Sequence, residues 1–502
     1  MINTEENRRA FSKIAHINHK TQDLNTTFVT YTDKHGQVKE VTDKREMEQT
    51  IMQENVRKYH QTEATCPFMR DPLRNHFGDY GIGPATEMLI NGTYVPPEHE
   101  TKQTKLFLET CSLKDTPQVS TEMTRTKEEF RDTWKKIKEK TASRDLHYGH
   151  FKAGMDDDYV TEVHYRMAEI PFRTGYSPTR WQHTTNLMIL KKVGDHEVTK
   201  LRTICLFEAD FNHNNKFLGK SMIRNAKKHG TLRHEQYSVP GKRCIDHVIN
   251  RRLLFDIKRY QKTSLVMSAV DLASCYDRIS HAPAYLAMRG HGVPSEPIES
   301  MLTTIQNTKF YTKTVHGISK ESFGGKQPGY IASPNGMGQG NGSAPGTWTV
   351  ISSNMFEVLD QNGNSSVIVT PLSEKEMTLC GFAVVDDTDL IANTNINDSR
   401  ISHEKMQSMI QDWDEVARTT GGALKTNKSW CWIIEFDWHK GAWSYKNLTK
   451  QEDLIIMAKN TDGVQTKIKP LSSNKSQEML GVFLSPDGNN AQHKEKLLNK
   501  MK

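Results

Sequence analysis

Hydrophobic and polar positions change their rhythm several times along the chain, and the changes predict its elements. Residues 1 to about 118 are polar, with Gly/Pro punctuation and no sustained period, which reads as an accessory region, partly disordered and partly helical. Ser120–Lys140 has Ser/Thr at its start and Phe130, Trp134 and Ile137 on one face, the pattern of an amphipathic helix. Leu187–Leu190 is a short apolar run followed by Gly194-Asp195, and LRTICLF at 201–207 can return beside it as a hairpin. Ile245–Ile257 has helical spacing, and a second helix is predicted over Thr347–Leu359. LVMSAVDL at 265–272 and CGFAVV at 380–385 are β runs, each ending in acid: Asp271 in the first, Asp386-Asp387 after the second.

The acids narrow the chemistry. Asp386 and Asp387 interrupt AVVDDTDLIA, whose apolar flanks imply a buried hairpin with carboxylates at its tip. A lone Asp-Asp is most often a turn; this flanking makes a site the better reading. Buried carboxylates cost several kcal/mol unless paired, and converging ones repel. Divalent metal relieves both. Mg²⁺ prefers hard oxygen ligands, and a pair of ions activates one oxygen while stabilising another, as in phosphoryl transfer. Asp389 is the fourth acid and reads as a solvated hairpin end.

Charge and composition add less. The 502 residues allow two to four domains. The 35% hydrophobic content and the lack of an apolar run of membrane-spanning length argue against a transmembrane protein. The polar N-terminus lacks a signal-peptide core. Seven scattered cysteines without a CxxC pair argue against a zinc ribbon or a disulfide scaffold and fit an intracellular compartment, nucleus or cytoplasm. Net charge is only +7, yet residues 191–262 hold 17 Lys+Arg against 7 Asp+Glu. Such a stretch suits nucleic acid; a solvated helix face explains it as readily.

Several motifs in order resemble reverse transcriptases, especially those of non-LTR retroelements and group II introns. AVDLASCYDRI (269–279) is similar to motif A, NGMGQGNGSAPGTW (335–348) to motif B, FAVVDDTDL (382–390) to motif C, TGGALKTNKSW (420–430) to motif D and MLGVFLSPDG (479–488) to motif E. Upstream, LRTICL resembles the fingers motif R-P-I-S-L, and QYSVPGKRCIDH (236–247) the G-x-S-x-x-D-H stretch. The chain departs from the pattern at Val384-Val385, where an aromatic and Ala are usual, at Thr203 for proline, and at Ala344 between the motif B serine and proline. As β formers, the two valines are expected to leave the acids in place.

The resemblance implies an α+β fold: right-hand polymerase fingers and palm, the palm an antiparallel sheet backed by helices, the thumb short or absent. It divides the chain into an N-terminal region (1–118), a fingers-like region (119–264), a palm (265–488) and a basic tail (489–502). The implied activity is RNA-directed DNA synthesis: nucleotidyl transfer of dNTPs onto a DNA or RNA primer along an RNA template, with Mg²⁺ or alternatively Mn²⁺. Asp271, Asp386, Asp387 and the Leu272 carbonyl are the implied metal ligands, and Lys428 the implied proton donor, though a surface lysine is the plain alternative. Lys191, Lys192 and Arg202 would grip the triphosphate, Gln339 would meet the nascent pair, and Tyr276 would exclude a 2′-OH. Leu480-Gly481 would form the primer grip; a simple β-turn explains them nearly as well. The competing readings are a silent or truncated domesticated copy that binds RNA, and an RNA-directed RNA polymerase, which Tyr276 disfavours.

Overall fold

The computed structural model describes residues 26–59, 66–113, 123–138, 141–325, 335–448 and 454–501. The described residues start with a hairpin, Val29–Thr32 with Val38–Val41, and a helix, Lys44–Tyr59. Val29, Val41, Met47 and Ile51 close against Met188 and Leu201. Phe68, Phe77, Phe107 and Cys111 belong to the largest core cluster. The described part of the region expected to be accessory is therefore built into the main body. Its apolar residues are too widely spaced along the chain to show a period, and they find partners far away in sequence.

The helix expected at 120–140 is α1 (Lys127–Lys135), which starts at a reciprocal Thr126/Glu129 capping box. Ser120 and Lys140 lie outside the described residues, and Ile137 follows the helix end. Helix α2 is Asp158–Thr174. Strands β1 (His183–Ile189) and β2 (Arg202–Leu206) form the anticipated hairpin, Leu187 opposite Ile204. Then come α3 (Ala209–Lys228), α4 (Cys244–Gln261) and β3 (Leu265–Val270), with β3 buried at all six positions. Strand β4 (Lys309–Thr314) runs parallel to β1, and β5 (Gly317–Gly324) pairs with it, giving a four-stranded sheet ordered β2-β1-β4-β5. Helix α5 (Ala344–Gln361) has Ser343 at its cap and proline in its first turn, so the extra alanine of motif B is absorbed at a position that tolerates Pro345.

The second sheet holds the acids. It comprises β6 (Gly381–Val384), β7 (Asp387–Asn393) and, after helix α6 (Ser399–Thr419), β8 (Trp430–Ile434) and β9 (Lys469–Leu471), in the order β6-β7-β3-β8-β9. The first four strands are antiparallel, as expected; β9 is an exception and runs parallel to β8. Alternation splits the sheet into two buried faces. Val266, Val270, Leu390, Ala392 and Ile433 enter the main core with α5 and α6. Leu265, Met267, Phe382, Ile391 and Trp432 pack with Leu254 and Phe255 of α4. Helices thus cover both faces, and the acids occupy the upper rim above α4.

A last hairpin, β10 (Gln477–Met479) and β11 (Val482–Leu484), precedes α7 (Ala491–Met501). The basic tail is largely helical. It buries no side chain, and Lys496 ties it to Glu478 and to the Gly481 carbonyl.

Candidate active site

Register brings the acids together. Thr388 lies opposite Val270 in the antiparallel β7/β3 pair, so Asp387 and Asp271, each one residue beyond that pair, come to the same end of the sheet. Asp386 occupies the two-residue turn between Val384 and Asp387, which pair directly. Desolvation in the cleft, then the nearby charges of Asp386, Asp389 and Asp271, push the Asp387 carboxyl up to about 6. Asp271 is raised by desolvation and by Asp386, while Lys428, 3.9 Å away, opposes the shift.

The turn is strained and doubly tied. Val385 has φ +57°, a conformation costly for a β-branched residue. The expectation that both valines act as strand residues holds for Val384 only. The Val385 N–H donates to Ser238 Oγ at 2.6 Å, and its carbonyl accepts from Trp348 Nε1 at 2.7 Å. Ser238 belongs to a segment that runs beside β6, with Tyr237 N–H donating to the Ala383 carbonyl. Motif B supplies Trp348. These supports had no signal in the sequence beyond their place inside motifs.

Asp389 is a correction. It is not solvated but 0% exposed, with His247 Nε2 at 3.1 Å and Arg251 Nε at 3.0 Å, both also fully buried. The angles leave neither contact hydrogen-bonded, and the Asp389–Arg251 contact is an ion pair. Burial holds the Arg251 guanidinium below its ordinary range, and Asp389 opposes that effect. Its charge also lies over the rings of Trp430 and Trp432. The signal was present: His247 and Arg251, four residues apart, share a helical face with Leu254 and Phe255.

Asp271 is held from β8's side. Its N–H donates to Ser429 Oγ and its carbonyl accepts from Lys425 N–H. Leu272, the neighbouring candidate, buries its side chain and bridges to Leu424. Lys191 belongs to a cation rim: desolvation, then repulsion from Lys428, Lys425, Lys58 and Arg202, lowers its ammonium. Lys425 is lowered by desolvation and by Lys428 and Lys58. The sequence reading missed Lys425. Lys192 lies exposed in the following turn, and nothing draws it into this group. Tyr276, in the short helical turn Cys275–Arg278, is half-buried; its hydroxyl is raised by desolvation, Cys275 and Asp386. Its carbonyl accepts from Met337, and the Gln339 carbonyl accepts from Cys205 of β2, so the Gly-rich loop ties to both sheets' neighbourhoods. Leu480 and Gly481 form the two-residue turn of β10/β11, at φ +49° and +82°. A local link exists: Arg251 donates to Met479 Sδ just before that turn.

Among the described residues no three His, Cys, Asp or Glu side chains are drawn into a ready metal cage. The donor chemistry still fits Mg²⁺, since hard carboxylates in mutual conflict are what that ion relieves when substrate phosphates and water complete its shell. Carboxylates gathered at the ends of central strands and rimmed by cations suit a phosphate-bearing substrate. The family profile for reverse transcriptase (RNA-dependent DNA polymerase) matches residues 189–480, more than half of the chain, and the chain belongs to that family of nucleotidyltransferases. No curated protein shows a match to it. Among the described residues no helix is long and apolar enough to cross a membrane.

Proposed function

We propose that this chain copies RNA into DNA as a retroelement polymerase of the non-LTR or group II intron type, with the five-stranded sheet as its palm. The observation that carries the reading is the β7/β3 register, which pairs Thr388 with Val270 and so brings Asp387 and Asp271 to one end of the sheet, with Asp386 in the adjoining turn. Asp271, Asp386 and Asp387, with the Leu272 carbonyl, would hold Mg²⁺, which supplies activation of the primer 3′-OH and charge stabilisation when bound. The chain's own residues do the rest. Lys191 and Arg202 bind the triphosphate oxygens, without Lys192, which stands apart in the following turn. Lys428, near Asp271, gives a proton to the departing pyrophosphate as the new P–O bond forms. Tyr276 underlies the sugar and clashes with a 2′-OH. Gln339 meets the nascent pair, and Leu480-Gly481 orients the primer end. The segment Gln236–His247, similar to retroelement enzymes, supports the lineage. Primer extension on poly(rA)/oligo(dT) with Mg²⁺ and with Mn²⁺, beside Asp386→Asn/Asp387→Asn, tests it. Extension with dTTP that the double substitution abolishes is expected. Extension that survives it, or none from the native chain, rejects the reading.

A further inference from the structure

A second site of positive charge lies outside the acid cluster. Helices α1 and α3, with the edge of α2, enclose a groove of about 1000 Å³. Lys216, Lys220, Arg224 and Lys228 stand along it at every fourth residue of α3, all exposed, and Lys136 faces them from the end of α1. Among the described residues no carboxylate lies within 4.0 Å of any of these five, in contrast to Lys127, which Asp158 and Glu162 neutralise. Two acids line the groove, but Glu129 is turned to the Thr126 N–H in its capping box. Like charges at this spacing repel along a helix. The repulsion is felt: desolvation and then Lys216, Arg224 and Lys136 lower the Lys220 ammonium.

The floor is built as well. Arg125 is 7% exposed, its guanidinium 4.7 Å from the ring centres of both Phe130 and Phe217. Nη2 donates to Asn214 Oδ1 at 2.7 Å, while Nη1 has no partner among the described residues. A buried cation without a bonded counter-ion is unfavourable unless something else compensates it. The neighbouring His213 also has an unpartnered Nδ1.

We propose that this groove holds the sugar-phosphate backbone of an RNA strand outside the catalytic cleft, resting on the polymerase reading for the identity of the polyanion. The position of α3 supports RNA over other anions. Its first turns meet the Gly-rich loop: Asn212 Nδ2 donates to the Gly340 carbonyl and its Oδ1 accepts from the Gly342 N–H, and Gly342 abuts the Lys216 backbone. The cation row therefore starts at the loop and runs about 18 Å along the helix, at 1.5 Å per residue. A concave track with an aromatic floor suits a strand, whereas a lipid surface calls for a projecting face.

The test is anisotropy of labelled oligo(rU) against salt, comparing the native chain with Lys216→Gln/Lys220→Gln/Arg224→Gln. Single strands contribute about 0.7 to the salt slope per phosphate contact, so losing three flattens it by about 2 and weakens binding about 10-fold or more. These side chains are exposed, so an unchanged melting temperature certifies the fold. Extension on a template too short to leave the cleft is expected to stay unchanged, while extension on a long template falls. Unchanged affinity and slope overturn the proposal, as does loss of binding to phosphatidylserine vesicles with RNA binding intact. Equal loss on short and long templates also overturns it. The Asp386→Asn/Asp387→Asn chain separates the two readings. If its RNA binding keeps the native slope, the groove stands even where no extension is seen.

Discussion

Asp389→Asn perturbs the support beneath the catalytic hairpin without touching the acids above it. Asp389, His247 and Arg251 are each fully buried, and the carboxylate lies 3.0–3.1 Å from both partners. At an effective dielectric of about 20, unit charges about 3 Å apart attract by about 5 kcal/mol. Truncating one member leaves Arg251 charged and uncompensated, and breaking such buried pairs costs about 3–5 kcal/mol. At about 2–4 °C per kcal/mol for a domain of about 150–250 residues, the melting temperature should fall by about 6–20 °C. Differential scanning calorimetry reads it directly. Asp389→Leu/Arg251→Met removes both charges at similar volume and should recover most of the loss, since apolar replacements of buried pairs are often neutral or better. A fall below about 2 °C for the single variant, or a double variant no more stable than the single, would refute the reasoning. Extension by the single variant should weaken too, because Asp389 and Asp387 share one strand face.

Ser238→Ala leaves the Val385 N–H unpaired, a penalty of about 1–3 kcal/mol; felt at the turn, it lowers kcat/KM about 5- to 150-fold in single-nucleotide extension. Tyr276→Ala should narrow the preference for dNTP over rNTP by about 10- to 200-fold, measured as a ratio of kcat/KM values; an unchanged ratio with lower stability would make the ring merely structural. Asp387 titrates at about 6 in the fold against 3.8 ordinarily, so the folded chain holds its proton longer and metal-free stability declines as pH rises through that window. Mg²⁺ needs the ionised form, so its stabilising shift in a thermal melt should be larger at about pH 7.5 than at about pH 5, with the difference reduced in Asp387→Asn.

The strands that bear the acids were legible because their apolar runs are local and end in carboxylates: LVMSAVD became β3, and the hairpin of CGFAVV with DDTDLIA became β6 and β7. The helix expected at 347–359 and the β1/β2 hairpin rest on equally local patterns. What stayed hidden depends on partners remote in sequence. Residues 26–113 show no period because Phe107 and Cys111 are buried by segments far along the chain. Asp389 looked like a polar tip because the sequence does not say that α4 lies beneath that strand. Lys425 was passed over because its closeness to Lys191 arises from folding alone.

The residues that brace the acid hairpin share a single mechanical role. A valine at φ +57° is tolerated where the surroundings leave the turn no alternative. Three contacts impose that here: Ser238 holds the Val385 N–H, Trp348 holds its carbonyl, and His247 with Arg251 clamps Asp389 three residues after Asp386. Ser238 and His247 both come from the stretch 236–247, so one short segment grips the hairpin at its tip and on its strand. Its value to the site is geometric: it fixes the height of Asp386 and Asp387 against Asp271. The departure of Val384-Val385 from the usual motif C therefore need not weaken the acids, because their placement depends less on the two valines than on what is bonded to Val385.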